Sequence, residues 1–167
     1  MENLRITNIM RVMRVATALN LENLHRQFGG KLFRGRPEML LLRMSNGRNV
    51  QLFRRGTIQI LGRLHRQQAE SMRREVLQLL QLREASPLVI SNIVISAQLM
   101  KKKLCLRNMN DVDVFYETEL FPAALIQKWY PAHVAVFHNG KVILTGVKTV
   151  KKCHEILTSL IQFLDKK

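Results

Sequence analysis

The stretch Phe137-His-Asn-Gly-Lys-Val-Ile-Leu-Thr-Gly146 reads as a β-hairpin, and the chain makes it twice. Asn139-Gly140 favours a two-residue type I′ turn, which needs φ > 0 at both central positions. Val134, Val136 and Val142 to Leu144 supply β-branched or apolar flanks. The earlier copy is Phe53-Arg-Arg-Gly-Thr-Ile-Gln-Ile-Leu-Gly62, at an offset of 137 − 53 = 84 residues. Gly56/Gly140, Gly62/Gly146, Ile58/Val142, Val50/Val134 and Leu52/Val136 share that offset, and so do Thr7-Asn8-Ile9 and Ser91-Asn92-Ile93. Two 84-residue copies account for nearly all of the 167 residues. The chain is a tandem duplication, with a first repeat over 1–84 and a second over 85–167.

The order of elements recurs with it. Residues 4–15 alternate apolar and polar side chains and predict a long strand. Asn20 can cap a helix over Leu21–Phe28, ended by Gly29-Gly30. Strands follow near Leu32, at Met39–Met44, at Asn49–Phe53 and at Thr57–Leu61. A long helix over Leu64–Leu82 closes the repeat, with Met72, Val76, Leu79 and Leu80 as its buried stripe. In the second repeat the counterparts are Leu88–Met100, Val112–Tyr116, Phe121–Lys128, the hairpin, and a helix over Thr149–Leu164 buried through Ile156, Leu160, Ile161 and Leu164. The fold class is therefore α+β: each repeat a five-stranded antiparallel sheet with helices on one face and the other face open. Two such repeats side by side would form one curved sheet.

The composition restricts the partner. Net charge is +15, split as 16 Lys+Arg against 6 acids in residues 1–84 and 11 against 6 in residues 85–167. Such basicity favours a polyanion, nucleic acid before membrane. No apolar run reaches the ~18 residues of a membrane-spanning helix, and the N-terminus lacks the apolar core of a signal peptide. Cys105 and Cys153 have no metal or redox spacing, and the five histidines form no ligand set. No nucleophile–base set, catalytic carboxylate pair or Gly-rich phosphate loop occurs, so neither an enzyme nor a cofactor, metal or small-molecule substrate is expected.

Alternation decides what faces outward. Asn8 and Met10 share a face, matched by Asn92 and Val94. Gln51, Phe53, Gln59 and Leu61 alternate with the core set, matched by Ala135, Phe137, Ile143 and Thr145. A mostly apolar open sheet on a basic chain suits a DNA minor groove, where amides meet acceptors and aromatic wedges unstack base steps. The Arg-rich long helix and Lys101–Lys103 could contact phosphates or be plain solvated surface.

Ser91-Asn-Ile-Val, Tyr116-Glu-Thr-Glu-Leu-Phe-Pro122 and Val136-Phe-His-Asn-Gly-Lys-Val-Ile-Leu-Thr-Gly-Val-Lys148 resemble the second repeat of the TATA-box-binding protein core. The resemblance spans essentially the whole chain and is specific in residues 88–167. It implies a saddle of two repeats whose concave sheet binds and bends promoter DNA. By position it assigns Asn8 and Asn92 to the central asparagines, Phe121 and Phe137 to one wedge pair, and Phe53 to a wedge of the first repeat. Pro122, Val94, Ile143 and Thr145 fall at groove-facing positions. The fourth wedge falls on Pro37, and Glu38, Gln51, Gln59 and Leu61 depart from the family pattern. A carboxylate at Glu38 would repel phosphates, so relaxed sequence preference, weaker bending or partner dependence is expected at that end.

The loop carrying Glu117, Glu119 and Leu120 corresponds to the stirrup that docks a TFIIB-type factor in that family. The first-repeat stirrup around Gly35–Glu38 has no comparable match to a TFIIA-type contact. The reading is an initiation factor that bends AT-rich promoter DNA and recruits a TFIIB-like factor and RNA polymerase, in a nucleus or a viral factory. The alternative is an adaptor that assembles or titrates transcription factors with weak DNA binding. An RNA-binding sheet protein fits the 84-residue duplication poorly.

Overall fold

The computed structural model describes residues 4–99, 103–109 and 111–166. Its elements are β1 (Arg5–Arg14), α1 (Leu21–Phe28), β2 (Lys31–Phe33), β3 (Met39–Arg43), β4 (Asn49–Phe53), β5 (Thr57–Leu61), α2 (Arg66–Leu79), β6 (Val89–Gln98), β7 (Val114–Phe115), β8 (Ala123–Ile126), β9 (His133–Phe137), β10 (Lys141–Val147) and α3 (Val150–Leu164). Lys101 and Lys102 of the basic corner lie outside the described residues, and Lys103 is exposed.

Two compact units form, and they are offset from the sequence repeats. One is Ile9–Ser91; the other joins Met1–Asn8 to Asn92–Lys167. In the first, strands run in the order β2-β3-β4-β5-β1, all antiparallel. In the second they run β6-β10-β9-β8-β7, again antiparallel. Hydroxyls mark the same step in both: Thr7 Oγ1 donates to Val94 O at 3.1 Å and Ser91 Oγ to Met10 O at 3.2 Å.

The core of the Ile9–Ser91 unit lies on one sheet face. Met13, Leu40, Leu52, Ile58 and Ile60 meet Leu21 of α1 and Ala69, Met72, Val76 and Leu77 of α2. The expected α2 stripe shifts: Leu77 is buried, whereas Leu79 and Leu80 are half-buried. The helix stops at Leu79, and beyond it the backbone no longer carries the 3.6-residue period that the stripe assumed. The N-termini follow the sequence signals. Asn20 Oδ1 accepts from Asn23 N at 3.0 Å, and Thr149 Oγ1 accepts from Lys152 N at 3.2 Å. On α3, Cys153 and Leu157 join Ile156, Leu160 and Leu164 in the interior, and Ile161 is half-buried. Burial pushes the Cys153 thiol pKa up, while Cys105 is exposed. The short helix of the first repeat has only a 3-10 turn, Leu106–Asn108, as its counterpart.

The hairpin turns differ from the two-residue form. Gly140 N donates to Phe137 O at 2.9 Å, and Gly140 takes φ 78°. Gly56 closes on Phe53 O at 3.0 Å with φ 80°, and Gly47 on Met44 O at 2.9 Å with φ 75°. Among described non-glycine residues only Gln81 has positive φ, so Asn139 does not. One left-handed residue suffices in this longer turn, and glycine supplies it. The asparagine instead ties the exit strand: Asn139 Oδ1 accepts from Lys141 N at 3.1 Å, and Asn46 Oδ1 from Arg48 N at 2.9 Å.

Candidate nucleic-acid interface

Directly opposed residues of an antiparallel pair share a face, so the register defines each open face. In the unit built on β6–β10, Ile143 opposes Ala135, which opposes Leu125, which opposes Phe115. Phe137 opposes Ala123, and Thr145 opposes His133. Asn92 and Val94 alternate with the buried Ile93 and Ile95 and so join this face. Pro122 is exposed at the start of β8.

Phe121 and Phe137 pack edge to face, with ring centroids 6.0 Å apart and planes at 61°. Ala123 lies opposite Phe137 on this face and is nevertheless only 1% exposed, while Phe121 remains 40% exposed. The small residue at Ala123 leaves room for the flanking rings. An edge-to-face pair of this kind is worth about 1 kcal/mol beyond its burial, which holds both rings at one site on the surface.

Asn92 is fixed by a bulge. The register of β10 against β6 shifts between Leu144 and Val147, and the freed Gly146 N donates to Asn92 Oδ1 at 2.8 Å. A backbone N–H can only donate, so the amide oxygen is the atom facing Gly146 N, and the Asn92 NH₂ is the group left to donate to a ligand. Gly146 carries φ 80°, and a Cβ there would fall 2.4 Å from Pro131 O. Only glycine fits this bulge.

In the Ile9–Ser91 unit, Phe33 opposes Met39, which opposes Phe53. Lys31, Leu41, Gln51, Gln59 and Val12 form the next row, and Leu61 opposes Met10. All of these except the exposed Lys31 are half-buried, with no helix over them. Asn8, the partner of Asn92 by offset, is half-buried on β1 and makes a contact of its own. Phe53 has no ring beside it at Pro37; a recess of about 500 Å³ opens there, lined by Pro37, Glu38, Phe53, Arg54, Thr57 and Gln59.

Glu38 is not the bare repulsive charge its position suggests. Arg54 reaches it at 2.6 Å and Glu22 of α1 at 2.9 Å. Glu38, then Glu22, hold the Arg54 guanidinium pKa above its ordinary value. One cation thus bridges two carboxylates at the turn preceding β5.

Two face residues escaped the sequence reading. Phe33 and Phe115 sit on strands of three and two residues. Such strands are too short to show a period, and only pairing with β3 and β8 reveals their face. Lys31 Nζ stands 4.9 Å over the Phe33 ring.

The loop before β8 turns at Glu117, whose carbonyl accepts from Leu120 N at 3.1 Å and Phe121 N at 2.9 Å. Glu117, Glu119 and Leu120 are exposed, Leu120 by 76%. Among the described residues no group of His, Cys, Asp and Glu could hold a metal ion, and no helix is long and apolar enough to cross a membrane.

Residues 87–167 match the family model described as transcription factor TFIID, or TATA-binding protein. The TATA-box-binding protein of Methanococcus vannielii is 26% identical over 165 residues, covering 90% of this chain and 88% of that protein. The solved TBP of Methanococcus jannaschii has the same fold, with TM-score 0.76, 20% identity and 99% of each chain covered. The fold is the α+β one expected; residues 87–167 match a family of transcription factors, and over its length the chain is similar to the TATA-binding proteins of two Methanococcus species.

Proposed function

We propose that this protein binds AT-rich promoter DNA through the minor groove, bends it, and recruits a TFIIB-like factor and with it RNA polymerase. The observation that carries this reading is the open face built on β6–β10. It presents an edge-to-face Phe121/Phe137 pair with Phe121 exposed, beside an apolar floor, and an asparagine whose oxygen is taken by Gly146 N and whose NH₂ is left to donate. A·T pairs offer only acceptors in the minor groove, which suits an amide donor. Aromatic rings inserted at a base step unstack it and kink the duplex. Phe121, Phe137 and Phe53 are the wedges of this reading. Asn8 and Asn92 are its donors, and Val94, Pro122, Ile143 and Thr145 its floor. The charge of +15 supplies phosphate attraction and suits a nucleus or viral factory. Glu117, Glu119 and Leu120 form the docking loop, an acidic and apolar spot on a basic chain.

The test is bending and binding together. A duplex with a TATA element and an energy-transfer pair at its ends is titrated at two salt concentrations. The wild type should bend it and Phe121→Ala/Phe137→Ala should not. Salt-steep, sequence-blind binding without a bend would sink the proposal and leave the adaptor reading in its place.

A further inference from the structure

The two open faces differ at one equivalent pair. Ala135 opposes Ile143 in one unit; at the same offset Gln51 opposes Gln59 in the other. Both glutamines are half-buried, and neither side-chain amide hydrogen-bonds to a described residue. Opposed residues bring their Cβ atoms to about 5 Å, so two amides stand side by side on a floor otherwise made of Leu41, Val12 and Phe53. Gln59 also lines the recess of about 500 Å³ left at Pro37.

Neither glutamine is among the described residues with a buried, unpartnered side-chain nitrogen or oxygen, so both amides stay open to a polar ligand on this face. Each amide has an oxygen that accepts and an NH₂ that donates. In the minor groove A·T and T·A show only acceptors, and G·C adds one donor, the guanine N2 amino group. An apolar floor such as Ala135/Ile143 leaves that amino group unpaired and rejects it. A glutamine oxygen can accept from it, and the recess gives it room. Resting on the minor-groove reading above, we propose that Gln51 and Gln59 are specificity-determining residues that admit G·C pairs into the half-site under the Ile9–Ser91 unit. The half-site under the other unit stays restricted to A·T.

The experiment scans an A·T element one base pair at a time, replacing each pair by G·C and then by inosine·cytosine, which lacks the N2 amino group. Affinity is read by fluorescence anisotropy with the full chain. In the half-site under Ala135/Ile143, G·C should weaken binding about tenfold and inosine·cytosine should restore it. In the half-site under Gln51/Gln59, G·C should bind at least as tightly as A·T and a few-fold tighter than inosine·cytosine. Gln51→Ala/Gln59→Ile should make the two half-sites alike in their rejection of G·C. Equal penalties in both halves with the wild type, or an asymmetry that the double variant leaves in place, would overturn the proposal. The inosine comparison needs no variant, so a misfolded double variant would not rescue it. Binding no tighter than to a random duplex at every position would instead bring down the minor-groove reading itself.

Discussion

Gly146 N–H donates to Asn92 Oδ1 at 2.8 Å, across the bulge of the last strand. That bond uses the acceptor of the side chain and leaves its donor available. Asn92→Asp keeps the acceptor and replaces the donor with a carboxylate. The variant should melt within a few degrees of the wild type and lose at least tenfold in affinity for an A·T duplex. Asn92→Ala should lose both, because Gly146 N–H is then stranded at a cost of about 1–3 kcal/mol. Paired thermal melts and anisotropy titrations distinguish these outcomes; equal melting losses would refute the division of labour within the amide.

The Phe121/Phe137 pair is surface-held rather than core. Phe121→Ala should cost about 1–2 kcal/mol in urea unfolding, well below the ~3–5 kcal/mol of a buried phenylalanine. A double-mutant cycle with Phe137→Ala should give a coupling of about 1 kcal/mol. A coupling near zero would mean that the rings do not support each other.

Gly47 and Gly56 occupy the same place in similar turns, at φ 75° and 80°. Their surroundings differ. A Cβ on Gly47 meets nothing closer than Arg43 Nη2 at 3.7 Å, whereas one on Gly56 falls 2.6 Å from Val15 O and 2.8 Å from Thr17 O. Gly47→Ala should therefore cost about 1–2 kcal/mol, the price of left-handed backbone alone. Gly56→Ala should cost about 2 kcal/mol more, since backbone oxygens must move. Chemical denaturation of the two variants side by side checks the difference.

The Glu22 carboxyl lies below its ordinary pKa, first through a backbone hydrogen bond of its own and then through Arg54. A depressed carboxylate stabilises the fold above its unfolded value, near pH 4.3, and that contribution disappears as pH falls through the folded value. The tie between α1 and the Arg54 turn should hold at neutral pH and release in acid. Arg54→Gln should raise the Glu22 titration midpoint, part of the depression surviving through the backbone bond. Side-chain carboxyl NMR would show it, and an unmoved midpoint would contradict the assignment to Arg54.

For the proposed docking loop, Glu117→Lys/Glu119→Lys should abolish capture of a TFIIB-like factor while leaving duplex bending within about twofold, because charge reversal of a rim acts on association with the partner that reads it. Loss of bending in parallel would place the loop at the DNA instead.

Much of this was legible from residues alone. Asn49–Phe53 and Thr57–Leu61 have the bounds the turn glycines gave them, and Leu21–Phe28 starts at its cap and stops at its glycine pair. The misses share a physical cause: they depend on what lies across the fold. Leu77 is buried while Leu79 and Leu80 pack on the core only in part, because the helix ends at Leu79 and its last turn is incompletely covered. The clasp on Glu38 needed Arg54, 16 residues away, and Glu22, 32 residues from that arginine. The locked amide of Asn92 needed a bulge 54 residues downstream. Alternation finds a face, but not what holds a side chain on it.

The compact units do not coincide with the repeats: Thr7, encoded in the first, bonds to Val94 within the unit that holds Asn92–Lys167. A half-chain cut between residues 84 and 85 would lack a strand end belonging to its own unit. It could replace that end only with the equivalent segment of a second copy, as Thr7-Asn8-Ile9 and Ser91-Asn92-Ile93 are equivalent by the 84-residue offset. Folding of the isolated half would then depend on protein concentration, as a dimer's does, where folding of the intact chain does not.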